Sequence, residues 1–73
     1  MNRMLYRAMS ENLPLEIIYL STKGQITQRT IIIKEINRAT IRAYCFLRKQ
    51  MRYFLIHNIL SAMPPKQKYK LPG

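Results

Sequence analysis

Apolar residues in the first part of the chain recur with the period of an α-helix. They occupy the i, i+3, i+4 and i+8 positions of one helical face, at Leu5, Ala8, Met9 and Leu13. This spacing is typical of a short amphipathic helix that packs one face against a core. Pro14 disfavours helical geometry at the preceding residue, and Asn12 readily adopts the left-handed conformation that ends many helices. The pattern therefore predicts a helix over about residues 2–12.

The residues that follow the predicted helix are of types that favour β-strands. The stretch 15–20 is rich in β-branched and aromatic side chains, and the polar turn after it ends at Gly24, which tolerates the positive φ of many hairpin turns. A second strand is predicted over residues 25–36, and it contains three consecutive isoleucines at 31–33. Such a run indicates either burial on both faces or a bulge that changes which face points inward.

The third predicted strand shows the clearest alternation of apolar and polar residues. Its core-facing residues are predicted to be Ile41, Ala43, Cys45 and Leu47. Arg42 and Tyr44 then lie on the opposite, partly exposed face, because successive side chains of a strand point to opposite sides. A turn is predicted at residues 48–50, followed by strands over 51–56 and 58–63.

Five short strands joined by close turns predict one antiparallel sheet, since no segment is long enough for a crossover helix. Strands of this length remove exposed edges by curling, so we expect a small, partly open barrel over about residues 15–63, with the helix covering one end. The predicted fold class is mostly β, or α+β by element count, in a single domain over residues 1–63. Residues 64–73 are basic and lack apolar periodicity, which predicts a flexible tail.

The excess of basic over acidic residues indicates which class of partner the protein attracts. Lysine and arginine outnumber aspartate and glutamate by 13 to 3, and the formal net charge is +10. Few cations can therefore find an internal carboxylate, and the surface attracts polyanions such as nucleic acid, nucleotides or acidic proteins. In a chain of 73 residues one small core supplies only about 3–5 kcal/mol, which leaves self-association as a homodimer open.

The single cysteine and the lack of long apolar runs predict a cytoplasmic protein. Cys45 has no second cysteine to form an internal disulfide, and its position on the core face predicts an inert apolar role. No stretch approaches the roughly 18 apolar residues of a spanning helix, and the first residues lack the apolar run of a signal peptide. We expect no membrane partner.

The candidate binding residues are arginines and tyrosines of the predicted strands and turns. They are Arg29, Arg42, Arg48, Arg52, Tyr44 and Tyr53, and we expect them to share one basic, aromatic-lined face of the predicted barrel. Guanidinium groups present planar forks of donors that match phosphate oxygens, and exposed aromatic rings stack on unpaired bases. The alternative is a solvated cationic face with one arginine paired to Glu16 or Glu35.

No catalytic or metal-binding constellation is present in the sequence. His57 has no second histidine and no neighbouring cysteine, and Ser61 has no histidine–carboxylate pair to activate it. We therefore expect a non-enzymatic protein without a metal or cofactor.

Several short motifs between residues 15 and 59 follow one another in a distinctive order. They are Tyr19, Gly24, Arg29-Thr30-Ile31, Ala43-Tyr44-Cys45, Arg48, Arg52, Phe54 and Ile59. In order and spacing they resemble the WYL domain family over about two thirds of the chain. The chain departs from the family pattern at the name-giving tripeptide, which falls on Ala39-Thr40-Ile41, and at Ile33, Leu55 and His57-Asn58, where the family has proline, arginine and Asp-Arg.

The resemblance implies a Sm-like, SH3-type five-stranded barrel that acts as a regulatory, ligand-sensing module. Family members are often fused to a helix-turn-helix in bacterial transcription regulators, and several bind single-stranded nucleic acid or serve phage-defence systems. Arg29 and Arg52 correspond to family positions associated with ligand binding, whereas Arg42 rests on strand parity alone. The departures place part of the family's basic surface elsewhere or remove it.

Three functions remain open from the sequence. The first is a regulatory module that binds single-stranded DNA or RNA through phosphate contacts and stacking. The second is a protein-interaction or assembly module, either a Sm-like homo-oligomer or a regulator of an acidic partner protein. The third is a sensor for a small nucleotide-like anion. A bacterial chromosome and a prophage remain equally open as the source.

Overall fold

One short helix and five antiparallel strands make up the computed structural model, which describes residues 2–65. The elements are α1 (Asn2–Ser10), β1 (Pro14–Leu20), β2 (Ile26–Ile36), β3 (Thr40–Cys45), β4 (Gln50–Leu55) and β5 (Ile59–Met63). A single 3₁₀ turn, Ile56–Asn58, joins the last two strands. The sheet order is β4-β3-β2-β1-β5, and every neighbouring pair is antiparallel. From residue 66 onward, the predicted basic tail lies outside the described residues.

Helix α1 ends in a left-handed residue, as its sequence predicts. Asn12 has a φ of 53°, and the Leu13 amide donates to the Ala8 carbonyl oxygen over 2.9 Å, which is the hydrogen bond of a Schellman motif. Leu5 and Ala8 are buried against the sheet. Leu13 was expected on the same face, but it is 44% exposed, because the chain has already left the helix.

The main core lies on one face of the sheet, which we call the inner face. Its buried side chains are Leu5, Ala8, Leu15, Ile17, Tyr19, Ile31, Ile33, Ile41, Ala43, Cys45, Phe54 and Ile59. The alternation predicted for β3 is confirmed at Ile41, Ala43 and Cys45. Leu47 was wrongly predicted to be in the core. It is 63% exposed, because β3 ends at Cys45 and residues 46–49 form the turn to β4.

Both explanations of the isoleucine run in β2 are correct. Ile31 and Ile33 belong to the inner core, while Ile32 is fully buried on the opposite, outer face, where Tyr44 is its partner on β3. The pairing register between β2 and β3 also shifts between Ile33 and Glu35. This bulge moves the next inward position to Ile36, which packs against the core.

The sheet curls so that β1 and β4 meet although two strands separate them. The Tyr19 hydroxyl accepts a hydrogen bond of 3.0 Å from the Leu55 amide. The Tyr19 and Phe54 rings also meet edge to face, with centroids 5.0 Å apart. β4 and β5 each pair with only one strand among residues 2–65, so the structure is an open, curled sheet. The predicted strands and helix are confirmed, but closure into a barrel is not.

Within the part of the chain that the structure describes, no helix has the length and apolar character needed to cross a membrane.

Candidate anion-binding surface

The curled sheet places two of the candidate arginines on its inner face. Arg29 of β2 lies opposite Ile17 of β1, and Arg52 of β4 lies opposite Ala43 of β3. Both partners are buried core residues, so the parity of the ladders directs both arginines inward. Each arginine is partly exposed.

Three neighbours contact the guanidinium group of Arg29. Its Nε donates to Thr27 Oγ1 over 3.2 Å, and its Nη1 lies 3.7 Å from Cys45 Sγ. The guanidinium carbon is 5.9 Å from the centre of the Phe54 ring, within the range of a cation–π contact. Most of the five N–H donors of the guanidinium remain available to a ligand, while the group itself is held in a defined position.

Arg52 lies diagonally across the β3–β4 ladder from the residue that Arg29 contacts. Cys45 pairs with Gln50, and Ala43, two residues earlier on the same face, pairs with Arg52. Diagonal neighbours on one face of a sheet are within reach of long side chains. Arg48 is exposed in the turn between β3 and β4. The Arg29 guanidinium reaches Phe54 of β4, so both inner arginines lie on the β4 side of the inner face, with Arg48 in the adjacent turn.

Among residues 2–65, these three arginines have no carboxylate partner. Within residues 2–65, the ion pairs are Arg7 Nε to Glu11 Oε2 at 2.9 Å and Arg42 Nε to Glu35 Oε1 at 3.8 Å. Glu16, the remaining acidic residue, is buried on the outer face between Thr30 and Met63. It forms no ion pair with any arginine of the described chain.

The other three candidate residues lie on the outer face. Arg42 of β3 pairs directly with Tyr53 of β4, and Tyr44 pairs with Met51. Tyr53 is 66% exposed, whereas Tyr44 is half-buried and meets Phe46 edge to face at 5.4 Å. The expected single basic and aromatic surface is thus divided between two faces. Arg29 and Arg52 lie on one, and Arg42, Tyr44 and Tyr53 on the other.

The neighbours that hold Arg29 were not among the candidate residues. Phe54 entered only through the family resemblance, Cys45 was expected only in the core, and Thr27 was not singled out. Strand parity predicts one part of the arrangement. If Phe54 points inward, Arg52 also points inward and Tyr53 points outward, because the three residues belong to the same strand. The contact between Arg29 and Phe54 joins strands that are not neighbours in the sheet, so local sequence patterns do not reveal it.

The remaining reactive side chains do not form a site together. Cys45 is a free, fully buried thiol, and its Sγ lies 3.7 Å from Arg29 Nη1. His57 is exposed in the 3₁₀ turn. Over residues 2–65, no three histidine, cysteine, aspartate or glutamate side chains are grouped closely enough to hold a metal ion.

Comparison with known proteins assigns no family to the chain. No known protein family matches it, and no curated protein shows significant similarity to it.

Proposed function

We propose that this protein is a non-enzymatic regulatory module that binds single-stranded nucleic acid, or another nucleotide-like anion, through Arg29, Arg48 and Arg52. The observation that carries the proposal is the position of Arg29 and Arg52 on the β4 side of the inner face, where neither has a carboxylate partner among residues 2–65. In a chain with 13 cations and 3 acids, this side of the face is a preferred place for an external polyanion.

The chemistry of the site suits phosphate groups. Arginine presents paired donors that match two phosphate oxygens at once, and a guanidinium fixed by Thr27 and Phe54 loses less freedom when a ligand binds. Neither arginine lies on a rigid helix that could enter a duplex groove. The proposal is therefore backbone recognition with little base readout, as in proteins that bind single strands.

The proposal also specifies the type of fold and the family that the chain resembles. Under this proposal, the curled sheet is a small, partly open barrel of the Sm-like, SH3 type, and the chain is a WYL-like module that acts in transcription regulation in the bacterial cytoplasm. The support is the order of the matching motifs together with the Tyr19–Phe54 contact, which brings strands from opposite sides of the sheet close to each other. In this partly open barrel the second edge of β4 stays without a strand partner among residues 2–65, and nuclear Overhauser contacts between the Tyr19 and Phe54 rings would establish the curl in solution.

A titration with single-stranded oligonucleotides at two salt concentrations tests the proposal. The variant is Arg29→Ala/Arg52→Ala, and the matched control is Arg3→Ala/Arg38→Ala, which removes the same charge from exposed positions on α1 and in the β2–β3 turn. Each charge-assisted contact is worth about 1.5–3 kcal/mol. We therefore expect a loss of affinity of at least tenfold for the first variant and less than about threefold for the control.

Salt dependence provides a second readout. With about three phosphate contacts, the logarithm of the affinity should fall with the logarithm of the salt concentration with a slope near 2. Equal losses in the two double variants would reduce the binding to non-specific attraction by net charge. Unchanged affinity in Arg29→Ala/Arg52→Ala would reject the proposal.

Assembly through the sheet edges is the second candidate function. β4 and β5 each have one edge unpaired within the described chain, and exposed apolar side chains lie on these strands at Met51, Leu60 and Met63. Such edges can pair with a second copy or with a partner protein. A stable dimer in light scattering that ignores salt and binds no oligonucleotide would favour this function over the first.

A further inference from the structure

The edge strand β4 presents a cationic side chain on one face of the sheet and an aromatic side chain on the other. It pairs only with β3 among residues 2–65, so its second edge is unpaired there. Its successive side chains alternate between the two faces of the sheet, with Gln50 and Arg52 on the inner side and Met51 and Tyr53 on the outer side. Because Arg52 and Tyr53 are consecutive, a guanidinium and a phenol ring extend from the same short stretch of edge in opposite directions.

Neither face provides both parts of a single-strand site. On the inner face, Arg29 and Arg52 lack carboxylate partners within the described part of the chain, but the nearby Phe54 ring is only 2% exposed and offers no surface for a base. The outer face has the exposed ring of Tyr53, but its arginine, Arg42, lies 3.8 Å from Glu35. A ligand that uses the two inner arginines together with the exposed ring of Tyr53 therefore contacts both faces.

We infer that single-stranded nucleic acid crosses the unpaired edge of β4, with its phosphates on Arg52 and Arg29 on the inner side and a base stacked on Tyr53 on the outer side. This inference rests on the proposed function and extends it to an extended polymer as the ligand. A stacked base adds about tenfold or more to affinity for an exposed ring, and the unpaired backbone groups of the edge can bond to sugar or base.

Arg52 also favours leaving this edge free of another strand. Inward-pointing charged side chains on edge strands are one of the devices by which proteins prevent edge-to-edge pairing. Arg52 occupies such a position opposite Ala43. The same side chain that discourages strand addition therefore provides a contact for an anion.

The test compares two ligands of equal charge on the full chain. One is an oligothymidylate of about 12 nucleotides, and the other is an abasic oligomer of the same length. The variants are Arg52→Ala, Tyr53→Ala and Tyr53→Phe, and the control is Tyr6→Ala, which removes a 53% exposed tyrosine from α1. Urea midpoints of all variants check that each one folds.

The inference predicts a different response for each ligand. The wild-type protein should bind the abasic oligomer about tenfold more weakly than oligothymidylate, because no base is available for Tyr53. Tyr53→Ala should lose about tenfold for oligothymidylate and nothing for the abasic oligomer. Arg52→Ala should weaken both ligands, Tyr53→Phe should bind like the wild type, and Tyr6→Ala should change neither.

Several results would overturn the inference, and they are distinguishable from failure of the proposed function. If Arg52→Ala weakens oligothymidylate while Tyr53→Ala does not, the ligand stays on the inner face and only the crossing is rejected. If Tyr53→Ala weakens it while Arg52→Ala and Arg29→Ala do not, the ligand lies on the outer face alone, and both proposals fail. Equal wild-type affinities for the two oligomers also reject the stacked base.

Discussion

The inner face of the sheet is apolar under α1 and cationic beside β4. Under the helix, Leu5 and Ala8 pack against buried strand residues such as Ile31. Toward β4, Arg29 takes the covering position, and Cys45 and Phe54 beneath it are as well buried as the aliphatic core. An arginine can cover apolar groups with its stem and keep its charge in water. The inner face is therefore covered by apolar residues of the helix in one region and by an arginine in the other. Only the arginine leaves a charge available to a ligand.

The largest expected effect is the loss of stability when the helix-covered core is truncated. Ile31 is fully buried, so Ile31→Ala should lower the free energy of unfolding by about 2–5 kcal/mol. The control is Ile26→Ala, at a position that is 66% exposed, where we expect a change within about 0.5 kcal/mol. Urea denaturation measures both. Similar losses at the two positions would contradict the burial that the comparison assumes.

The second largest loss of stability is expected where β1 contacts β4. Tyr19→Phe keeps the ring that meets Phe54 but removes the acceptor of the Leu55 amide. An unsatisfied buried group costs about 1–3 kcal/mol, so we expect a loss in that range by urea denaturation. Tyr6→Phe, on the exposed side of α1, should have no effect. A neutral Tyr19→Phe would mean that water readily replaces the hydroxyl at the β4 edge.

Substitutions of Arg29 can separate its contribution to stability from its contribution to ligand binding. Arg29→Ala should lower the free energy of unfolding by about 0.5–2 kcal/mol, the range of a partly buried cation–π contact. Arg29→Met should recover much of that stability, because methionine adapts to apolar surfaces, but oligonucleotide affinity should stay low in both variants. Urea denaturation and a binding titration on the same samples give the two values. Full affinity in Arg29→Met would show that the guanidinium is not a ligand contact.

The smallest effect is expected on the outer face. Glu35→Gln removes the carboxylate 3.8 Å from Arg42, and both side chains are substantially exposed, so the change in stability should be within about 0.5 kcal/mol. The freed Arg42 lies opposite Tyr53 and should raise oligonucleotide affinity by no more than a few fold. A tenfold or larger gain would identify the outer face as the principal anion site.

Local patterns predicted most of the secondary structure but misplaced side chains at the element ends. The alternation in β3 correctly identified Ile41, Ala43 and Cys45 as core, because a regular strand has a fixed parity. The same alternation was extended one step too far at Leu47, since the chain leaves the strand at Cys45. Leu13 failed for the equivalent reason beyond the end of α1. Periodicity holds only as long as the element continues.

The candidate site was predicted residue by residue but not as an arrangement. Unpaired arginines are expected from the excess of cations over acids, and the ring of Tyr53 is exposed. The six residues were nevertheless grouped on one surface, whereas the ladders divide them between two faces. Parity between neighbouring strands depends on register, and the bulge after Ile33 changes that register within a single strand.

The amino-acid sequence by itself determined the charge of the protein, the helix and its left-handed end, the five strands and the inward set of β3. These properties depend on composition and on neighbours a few residues apart. Only the tertiary structure decided that Arg29 lies over Phe54 and that Tyr19 bonds to Leu55. Each contact joins strands that are not adjacent in the sheet, so it exists only once the sheet has curled.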